Sequence, residues 1–168
     1  IDANGRRWTT VYTAGRAVAS VSPLGNRTST VYDSAGRAVA RIDALGKRTT
    51  SLFDAANRSI AAIDPLANRT TSIYDAAGRH IASANALGYR VTTLYDAAGH
   101  TVAQTNPASN RTSFTYNFDG TTKATIDALG NRTSSVYDNA GRSIASINAL
   151  GNRSTLVYNA AGQTVASI

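Results

Sequence analysis

The sequence predicts an all-β fold, in which a repetitive antiparallel meander of β-hairpins curls into one spiralling sheet. An aromatic residue recurs at a spacing of 20 residues once and then 21 residues six times, which defines eight copies of one unit. Two turn motifs in each copy leave segments of six or seven residues between them, the length of a strand. Thr, Ser, Val, Ile and Tyr are plentiful and Glu is absent, a composition that favours strands over helices. The aromatic positions are Tyr12, Tyr32, Phe53, Tyr74, Tyr95, Tyr116, Tyr137 and Tyr158.

The repeats occupy residues 1–168 as a single array, with no separate second domain. Because each unit contacts only its neighbours, such an array has no single core and is quasi-one-dimensional. The first copy opens at Ile1, and Ile168 would start a ninth copy. We therefore expect the chain to be a fragment of a longer array.

The first turn of each copy has Asp at its start and Gly three residues later, which suits a type I turn ending at positive φ. A three-residue loop makes the opening Asp face an Arg across the hairpin as an opposite-charge pair. Where the acid is lost the Arg is lost too, as in Asn117 with Thr121, whereas Thr13 faces Arg16 across a shorter loop. The predicted structural residues of this turn are Asp33, Gly36 and Arg37, Asp75, Gly78 and Arg79, and Asp138, Gly141 and Arg142.

The second turn of each copy is predicted to hold a four-residue loop, in which Asp43 faces Arg48. A repeat of odd length reverses every side chain unless its two loops differ in parity. In this register Val136 pairs with Ile144, and an Arg at each margin has an acid or amide on both neighbouring strands. One predicted face carries Arg132, Ser134, Val136, Asp138, Arg142, Ile144, Ser146 and Asn148, and the other carries Thr133, Ser135, Tyr137, Ser143, Ala145 and Ile147.

A leucine recurs inside the second turn, where a solvated loop would be polar. Two interpretations remain open: each Leu folds back over its own hairpin, or this margin packs on a neighbouring winding or another chain. The positions are Leu24, Leu45, Leu66, Leu87, Leu129 and Leu150.

Several function classes find no support in the residues. The chain has no Cys, its two histidines, His80 and His100, have no Ser-His-Asp grouping, and no apolar run reaches transmembrane length. The Asp positions lack a calcium-repeat period and already have Arg neighbours. We therefore predict no enzymatic activity, no catalytic residue, no metal and no cofactor.

The net charge of +7 raises the question of nucleic acid binding. The predicted register places the Arg positions and the Tyr positions on opposite faces, so the platform of stacked rings beside phosphate contacts is absent. We expect no nucleic acid partner. The tyrosines are predicted to form a structural spine that includes Tyr32, Tyr74, Tyr95 and Tyr137, and a polysaccharide-binding face is the alternative, testable at Tyr74 and Tyr95.

The chain resembles the Rhs or YD-repeat family through Tyr32-Asp33-Ser34-Ala35-Gly36-Arg37 and Asp127-Ala128-Leu129-Gly130-Asn131-Arg132 with their equivalents. The resemblance implies strand-turn-strand units that join into a long sheet and spiral into a hollow shell, as in bacterial toxin complexes, Rhs effectors and teneurins. It also implies an enclosed C-terminal toxic domain, for which this chain has no plug, cleavage site or variable segment.

The sequence thus predicts a non-enzymatic structural array that forms the wall of a hollow β-shell or of a self-assembling tube or filament. The predicted location is extracellular or on the cell surface, after bacterial-type secretion. The predicted partner is the array itself, through neighbouring windings or copies, with polysaccharide or an enclosed polypeptide as further possibilities. The alternatives are an adhesion or carbohydrate-binding module and a shell segment that encapsulates a C-terminal toxin.

Overall fold

A computed structural model describes residue 5 and residues 7–168, and every regular element in them is a β-strand. In this part of the chain no helix has the length and apolar character needed to cross a membrane. The chain divides into two units, the first ending at Tyr89 and the second beginning at Arg90. Strands of the first unit are β1 (Thr9–Thr13), β2 (Arg16–Val21), β3 (Arg27–Tyr32), β4 (Ala38–Ile42), β5 (Arg48–Phe53), β6 (Ser59–Ile63), β7 (Arg69–Tyr74) and β8 (His80–Ala84). Strands of the second are β9 (Arg90–Tyr95), β10 (Thr101–Thr105), β11 (Arg111–Tyr116), β12 (Thr122–Ile126), β13 (Arg132–Tyr137), β14 (Ser143–Ile147), β15 (Arg153–Tyr158) and β16 (Thr164–Ser167).

Within each unit every strand pairs antiparallel with the strands before and after it in the chain. The predicted antiparallel meander of hairpins is confirmed. Its strands are five or six residues long, apart from the four-residue β16.

The first turns have the predicted three-residue loop. The Asp33 amide donates to the Arg37 carbonyl at 3.0 Å, and the Gly36 amide donates to the Asp33 carbonyl at 3.0 Å. Gly36 has a φ of 84°. The first hairpin is shorter, as predicted: Thr13 faces Arg16, and both Ala14 and Gly15 between them lie at positive φ.

The prediction of a four-residue second loop is wrong. The Asp43 amide bonds to the Lys47 carbonyl at 2.9 Å, so this loop also has three residues, and Ile42 is the residue opposite Arg48. Asp43 therefore does not face Arg48 across the strands. Its carboxylate instead accepts the Leu45 and Lys47 amides at 2.9 Å each, which stabilises its own turn.

A β-bulge, and not a longer loop, keeps equivalent side chains of successive repeats on the same face. Val136 pairs with Ala145 and Tyr137 pairs with Ser143, so Ile144 is an extra residue with no partner of its own. The predicted pair of Val136 with Ile144 is consequently wrong. The bulge lies on the even-numbered strand of every complete hairpin, and it lets an odd repeat keep its columns on constant faces.

The bulge also redistributes the side chains between the two faces. Leu52, Ala61 and Ile63 share what we name the apolar face, and Ser51, Phe53 and Ala62 share the polar face, because paired residues point the same way. The predicted division of side chains between the two faces is therefore wrong for the residues that follow the bulge. Ala145 and Ile147 lie on the face of Val136, whereas Ser146 lies with Ser135.

The buried positions among the described residues form one alanine column on the apolar face. Ala61 is 3% exposed and lies between Leu52 on β5 and Thr71 on β7. Small residues are buried here because the longer side chains on both neighbouring strands cover them. The column comprises Ala19, Ala40, Ala61 and Ala82 in the first unit and Ala103, Ala124 and Ala145 in the second.

Candidate functional site: contacts between successive repeats

Four of the first turns in the described residues carry a charge-assisted hydrogen bond between Asp and Arg. Arg37 Nε donates to Asp33 Oδ2 at 2.7 Å, and the Arg37 amide donates to Asp33 Oδ1 at 2.9 Å. The structure gives the same side-chain contact to Asp54 with Arg58 at 2.6 Å, Asp75 with Arg79 at 2.7 Å, and Asp138 with Arg142 at 2.7 Å. These bonds orient the guanidinium and leave its Nη atoms available.

The guanidinium extends into the following repeat. Arg37 Nη1 donates to the Asp54 carbonyl at 2.9 Å, and its Cζ lies 5.1 Å from the centre of the Phe53 ring. Arg58 repeats this arrangement with the Asp75 carbonyl at 3.3 Å and the Tyr74 ring at 4.9 Å. Each such Arg thus joins its own turn to the next one through a hydrogen bond and a cation–π contact.

The tyrosine hydroxyl makes a second contact between repeats. Tyr32 Oη donates to the Ala17 carbonyl at 3.1 Å, and Tyr158 Oη donates to the Ser143 carbonyl at 2.9 Å. Equivalent bonds join Tyr74 to Ser59 at 3.2 Å and Tyr116 to Thr101 at 2.7 Å. The ring is therefore held from above by a guanidinium and at its edge by a backbone carbonyl.

The same hydrogen bonds act on the carboxylates. The Arg37 amide and guanidinium lower the pKa of Asp33, and the guanidinium and amide of Arg79 lower the pKa of Asp75. Asp54 and Asp138 respond in the same direction, with the backbone amide as the largest cause. The aspartates are therefore ionised, and the pairs are charged, at neutral pH.

His100 occupies the arginine position of its repeat. Its Nδ1 lies 3.0 Å from Asp96 Oδ2, and its ring stacks on Tyr116 with centroids 4.8 Å apart and planes at 26°. An imidazole thus preserves both the carboxylate contact and the ring contact. The other histidine, His80, meets Tyr74 edge-on at 5.5 Å.

The arginines of the first turns lie on the same side of the strands as the tyrosines, so the predicted separation is wrong for these arginines. The arginines that begin the odd-numbered strands, such as Arg69, lie on the opposite, apolar face, as predicted. Arg142 Cζ is 4.8 Å from the centre of the Tyr158 ring. The expectation of separate faces depended on the incorrect register near the bulge. The rings are nevertheless poor stacking platforms for bases, because a guanidinium already covers each of these ring faces.

The margin of the second turns differs from that of the first. Within the described residues, Arg27, Arg48 and Arg132 make no ion pair and reach only a hydroxyl two residues away, at 3.1 to 3.3 Å. The predicted alternation of acid and base along both margins is therefore wrong for this margin. The leucines of these turns do not fold back over their hairpins. The exposed fractions are 73% for Leu24, 79% for Leu45, 82% for Leu66, 77% for Leu87, 88% for Leu129 and 85% for Leu150.

The glycines predicted to close the first turns lie at positive φ, at 84° for Gly36, 83° for Gly78 and 75° for Gly141. A Cβ at Gly36 would also collide with the guanidinium of Arg16, so the arginine of the previous repeat lies directly against this turn. Tyr95 makes contacts of its own, whereas Tyr137 lacks the covering Arg that Tyr74 and Tyr158 have. Within residues 5 and 7–168, no three His, Cys, Asp or Glu side chains lie close enough to hold a metal ion.

The contact between Arg and the next aromatic residue was missed in the sequence. A regular signal was present, because Arg16, Arg37, Arg58 and Arg142 each precede an aromatic residue by 16 positions. The buried alanine column was also missed, since a small residue beside a bulge gives no hydrophobic signal of its own.

Comparison with known proteins agrees with this architecture. Residues 32–69 match the family model described as RHS Repeat. This segment is therefore similar to an Rhs repeat. The matched segment begins at Tyr32 and ends at Arg69, so it includes two first turns and two second turns. No curated protein matched the sequence.

Several solved structures share the fold of this chain. The crystal structure of TcdB2-TccC3-Cdc42 matches with a TM-score of 0.66 at 14% identity over 95% of this chain, and that of TcdB2-TccC3 with a TM-score of 0.65 at 14% identity over 95%. A mutant Photorhabdus luminescens Tc holotoxin pore matches with a TM-score of 0.58 at 14% identity over 96%. This chain spans 10% of the length of each of the first two chains and 12% of the third.

Proposed function

We propose that this Rhs array is a wall segment of a hollow β-shell and that its role is structural, without catalysis. The observation that carries the proposal is the contact of Arg58 with both Tyr74 and the Asp75 carbonyl, which joins one hairpin to the next. Equivalent contacts recur in both units. A wall built this way can be extended by further repeats at either end. Each repeat offers the next one the same contact groups that it meets in the one before.

The likeness to the Tc structures supports the shell form of this proposal. The wall of such a shell would separate an enclosed polypeptide from the surroundings, and the cargo would be a toxin-like domain encoded in the same protein or a partner. The corresponding location is outside a bacterial cell after secretion.

A tube or filament wall is the second candidate, and the exposed leucines favour it. Leu24, Leu45, Leu66 and Leu87 place one apolar side chain at the tip of each second turn of the first unit. Exposed apolar side chains at a constant repeat can pack on a second copy, and a contact that does not close generates a filament.

Electron microscopy of the purified chain distinguishes the two candidates. Discrete curved particles that stay monomeric with increasing concentration would support the shell segment. Continuous fibres or tubes would contradict it and favour self-assembly. In that case the double variant Leu45→Lys with Leu66→Lys should abolish the fibres, whereas Ala44→Lys, in the same turn as Leu45, serves as the charge control.

A further inference from the structure

The contact between repeats is interrupted once in the second unit, at the turn of residues 117–121. Its arginine position is Thr121, and no guanidinium or imidazole covers the ring of Tyr137. Within the described residues, the hydroxyl of Tyr137 also makes no hydrogen bond, although those of Tyr116 and Tyr158 on either side do. Tyr137 is thus an aromatic side chain with both of the usual contacts removed.

An open cavity of about 560 Å³ lies beside Tyr137 and is lined by Asn117, Asp119 and Lys123 of the altered turn and strand. The first unit supplies an internal comparison: the equivalent cavity beside Tyr74 measures about 440 Å³ and has Arg58 in its lining. The two cavities share five positions of the repeat, separated by three repeat lengths. The cavity beside Tyr137 is therefore the enlarged form of a regular feature, and its volume falls within the ~300–1,000 Å³ typical of small-ligand clefts.

Polar side chains found in no other repeat surround this cavity. Lys123 takes a position that is Val or Ile in every other copy, and Asp119 replaces an alanine. Phe118 adds a fully exposed aromatic side chain to the tip of the same turn. The departures from the repeat pattern are thus concentrated within residues 117–123, beside the uncovered ring of Tyr137.

The hydrogen-bonding groups of the cavity are only partly used. Asp119 Oδ1 accepts from the Thr121 amide at 2.9 Å and from its hydroxyl at 2.6 Å, which leaves Oδ2 open. Asn117 Nδ2 donates to Thr121 Oγ1 at 2.9 Å, which leaves its Oδ1 open. Ser135 and Asn139 complete the lining with a hydroxyl and an amide.

The electrostatics of the lining favour an uncharged ligand. The carboxylate of Asp138 is already bound by Arg142 at 2.7 Å, so Asp119 and Lys123 remain as one negative and one positive group. Lys123 would repel a cation, and Asp119 would repel an anion. A neutral molecule with one flat C–H face and a rim of hydroxyls satisfies both groups and stacks on the ring.

We propose that the cavity over Tyr137, bounded by residues 117–123, binds a sugar ring of a neutral glycan. The ring of Tyr137 supplies the platform, and Asn117, Asp119 and Lys123 bond to the hydroxyls. Tyr74, predicted to line a glycan-binding face, is not such a platform, because Arg58 covers its ring and Ser59 accepts its hydroxyl. This site is independent of the wall role, so failure of one proposal leaves the other standing.

The decisive variant is Thr121→Arg, which restores the missing arginine. Its guanidinium should lie over Tyr137 and reach the Asp138 carbonyl, as Arg58 does with Tyr74 and Asp75. The variant should unfold at a higher temperature than the natural chain and yet lose the ligand. If its unfolding temperature is no lower than that of the natural chain, loss of binding cannot be explained by unfolding.

The measurement begins with the full chain on a printed array of neutral oligosaccharides, and the retained sugar is then titrated by NMR. We expect shifts confined to the amides of 117–123 and 135–139, and at least tenfold weaker binding in Thr121→Arg. Gln163→Arg, at the same position of the last repeat, is the control and should bind normally. Retention of no neutral glycan, retention of charged glycans alone, or equal binding by Thr121→Arg would overturn the proposal.

Discussion

Arg58 lies 4.9 Å above the centre of the Tyr74 ring, although the two residues belong to successive repeats. The same arginine bonds to Asp54 in its own turn at 2.6 Å and to the Asp75 carbonyl of the next turn at 3.3 Å. One side chain therefore fixes the conformation of a turn and the position of its neighbour. The pairing of Asp and Arg, visible in the sequence as a feature within one hairpin, is also part of a contact between hairpins.

The tyrosine hydroxyl should contribute measurably to this contact. Tyr74→Phe removes the bond to the Ser59 carbonyl but keeps the ring under Arg58, so we expect a loss of about 0.5 kcal/mol, the lower end for a hydrogen bond because the site is exposed. Phe53 occupies the equivalent position, and Phe53→Tyr should gain a similar amount by bonding to the Ala38 carbonyl. Urea unfolding of both variants tests these changes, provided that the dependence of the free energy of unfolding on urea concentration stays constant. A stability loss in Phe53→Tyr would contradict the proposed geometry.

The alanine column should tolerate no larger side chain. Ala61 is 3% exposed between Leu52 and Thr71, so Ala61→Leu should destabilise the chain by about 1–3 kcal/mol through overpacking. Ala62→Leu, the next residue, is the matched control, because Ala62 is exposed on the polar face and should change stability by less than about 0.5 kcal/mol. Thermal unfolding of the two variants measures the difference. Equal effects would mean that the apolar face is not packed as described.

Sequence reasoning reached the fold because repetition, alternation and turn residues all point to the same meander. It failed at the second half of each even-numbered strand. Ile144 has the hydrophobicity of a paired strand residue, and nothing in its side chain shows that the backbone bulges there. A repeat with an odd number of residues must break the alternation of side chains between the two faces once. Either a longer loop or a bulge can do this, and the sequence is compatible with both. The structure places this break in the strand and so exchanges Ala145 and Ser146 between the predicted faces.

The identity of the contact residues could be predicted from the sequence, but the geometry of their contacts could not. Asp33 and Arg37 were identified from the way acid and base change together along the array, and the structure places them 2.7 Å apart. The contact of Arg37 with Phe53 required the register, because it joins strands that are not neighbours in one hairpin. The altered turn at Thr121 appeared only as a lost pair, since a cavity has no direct signature in a sequence.

Acid should weaken the array through the paired aspartates. The folded chain lowers the pKa of Asp54 below its ordinary 3.8, mainly through the Arg58 amide and guanidinium. Its contribution to stability is therefore complete above pH 3.8 and is lost as the pH falls through the lowered folded pKa. Asp33, Asp75 and Asp138 should act in the same direction.

A pH series of thermal unfolding measures this dependence. The unfolding temperature should fall below about pH 4, and Asp54→Asn should make that fall less steep. Asp43→Asn is a suitable comparison, because its carboxylate accepts turn amides without a side-chain ion pair. A slope unchanged in Asp54→Asn would show that this carboxylate has the same affinity for protons in the folded and unfolded chain.

The second turn of residues 64–68 offers a test of backbone strain. Ala67 has a φ of 65° at a position that is glycine in most other second turns, and a left-handed conformation costs an ordinary residue roughly 1–2 kcal/mol. Ala67→Gly removes this strain but adds freedom to the unfolded chain, so a net gain of about 0.5 kcal/mol is expected. Ala55→Gly, at a turn position outside the left-handed region, brings only the added freedom and should destabilise the chain. Urea unfolding of the two variants should therefore give changes of opposite sign, and a loss of stability in both would place Ala67 in an ordinary turn conformation.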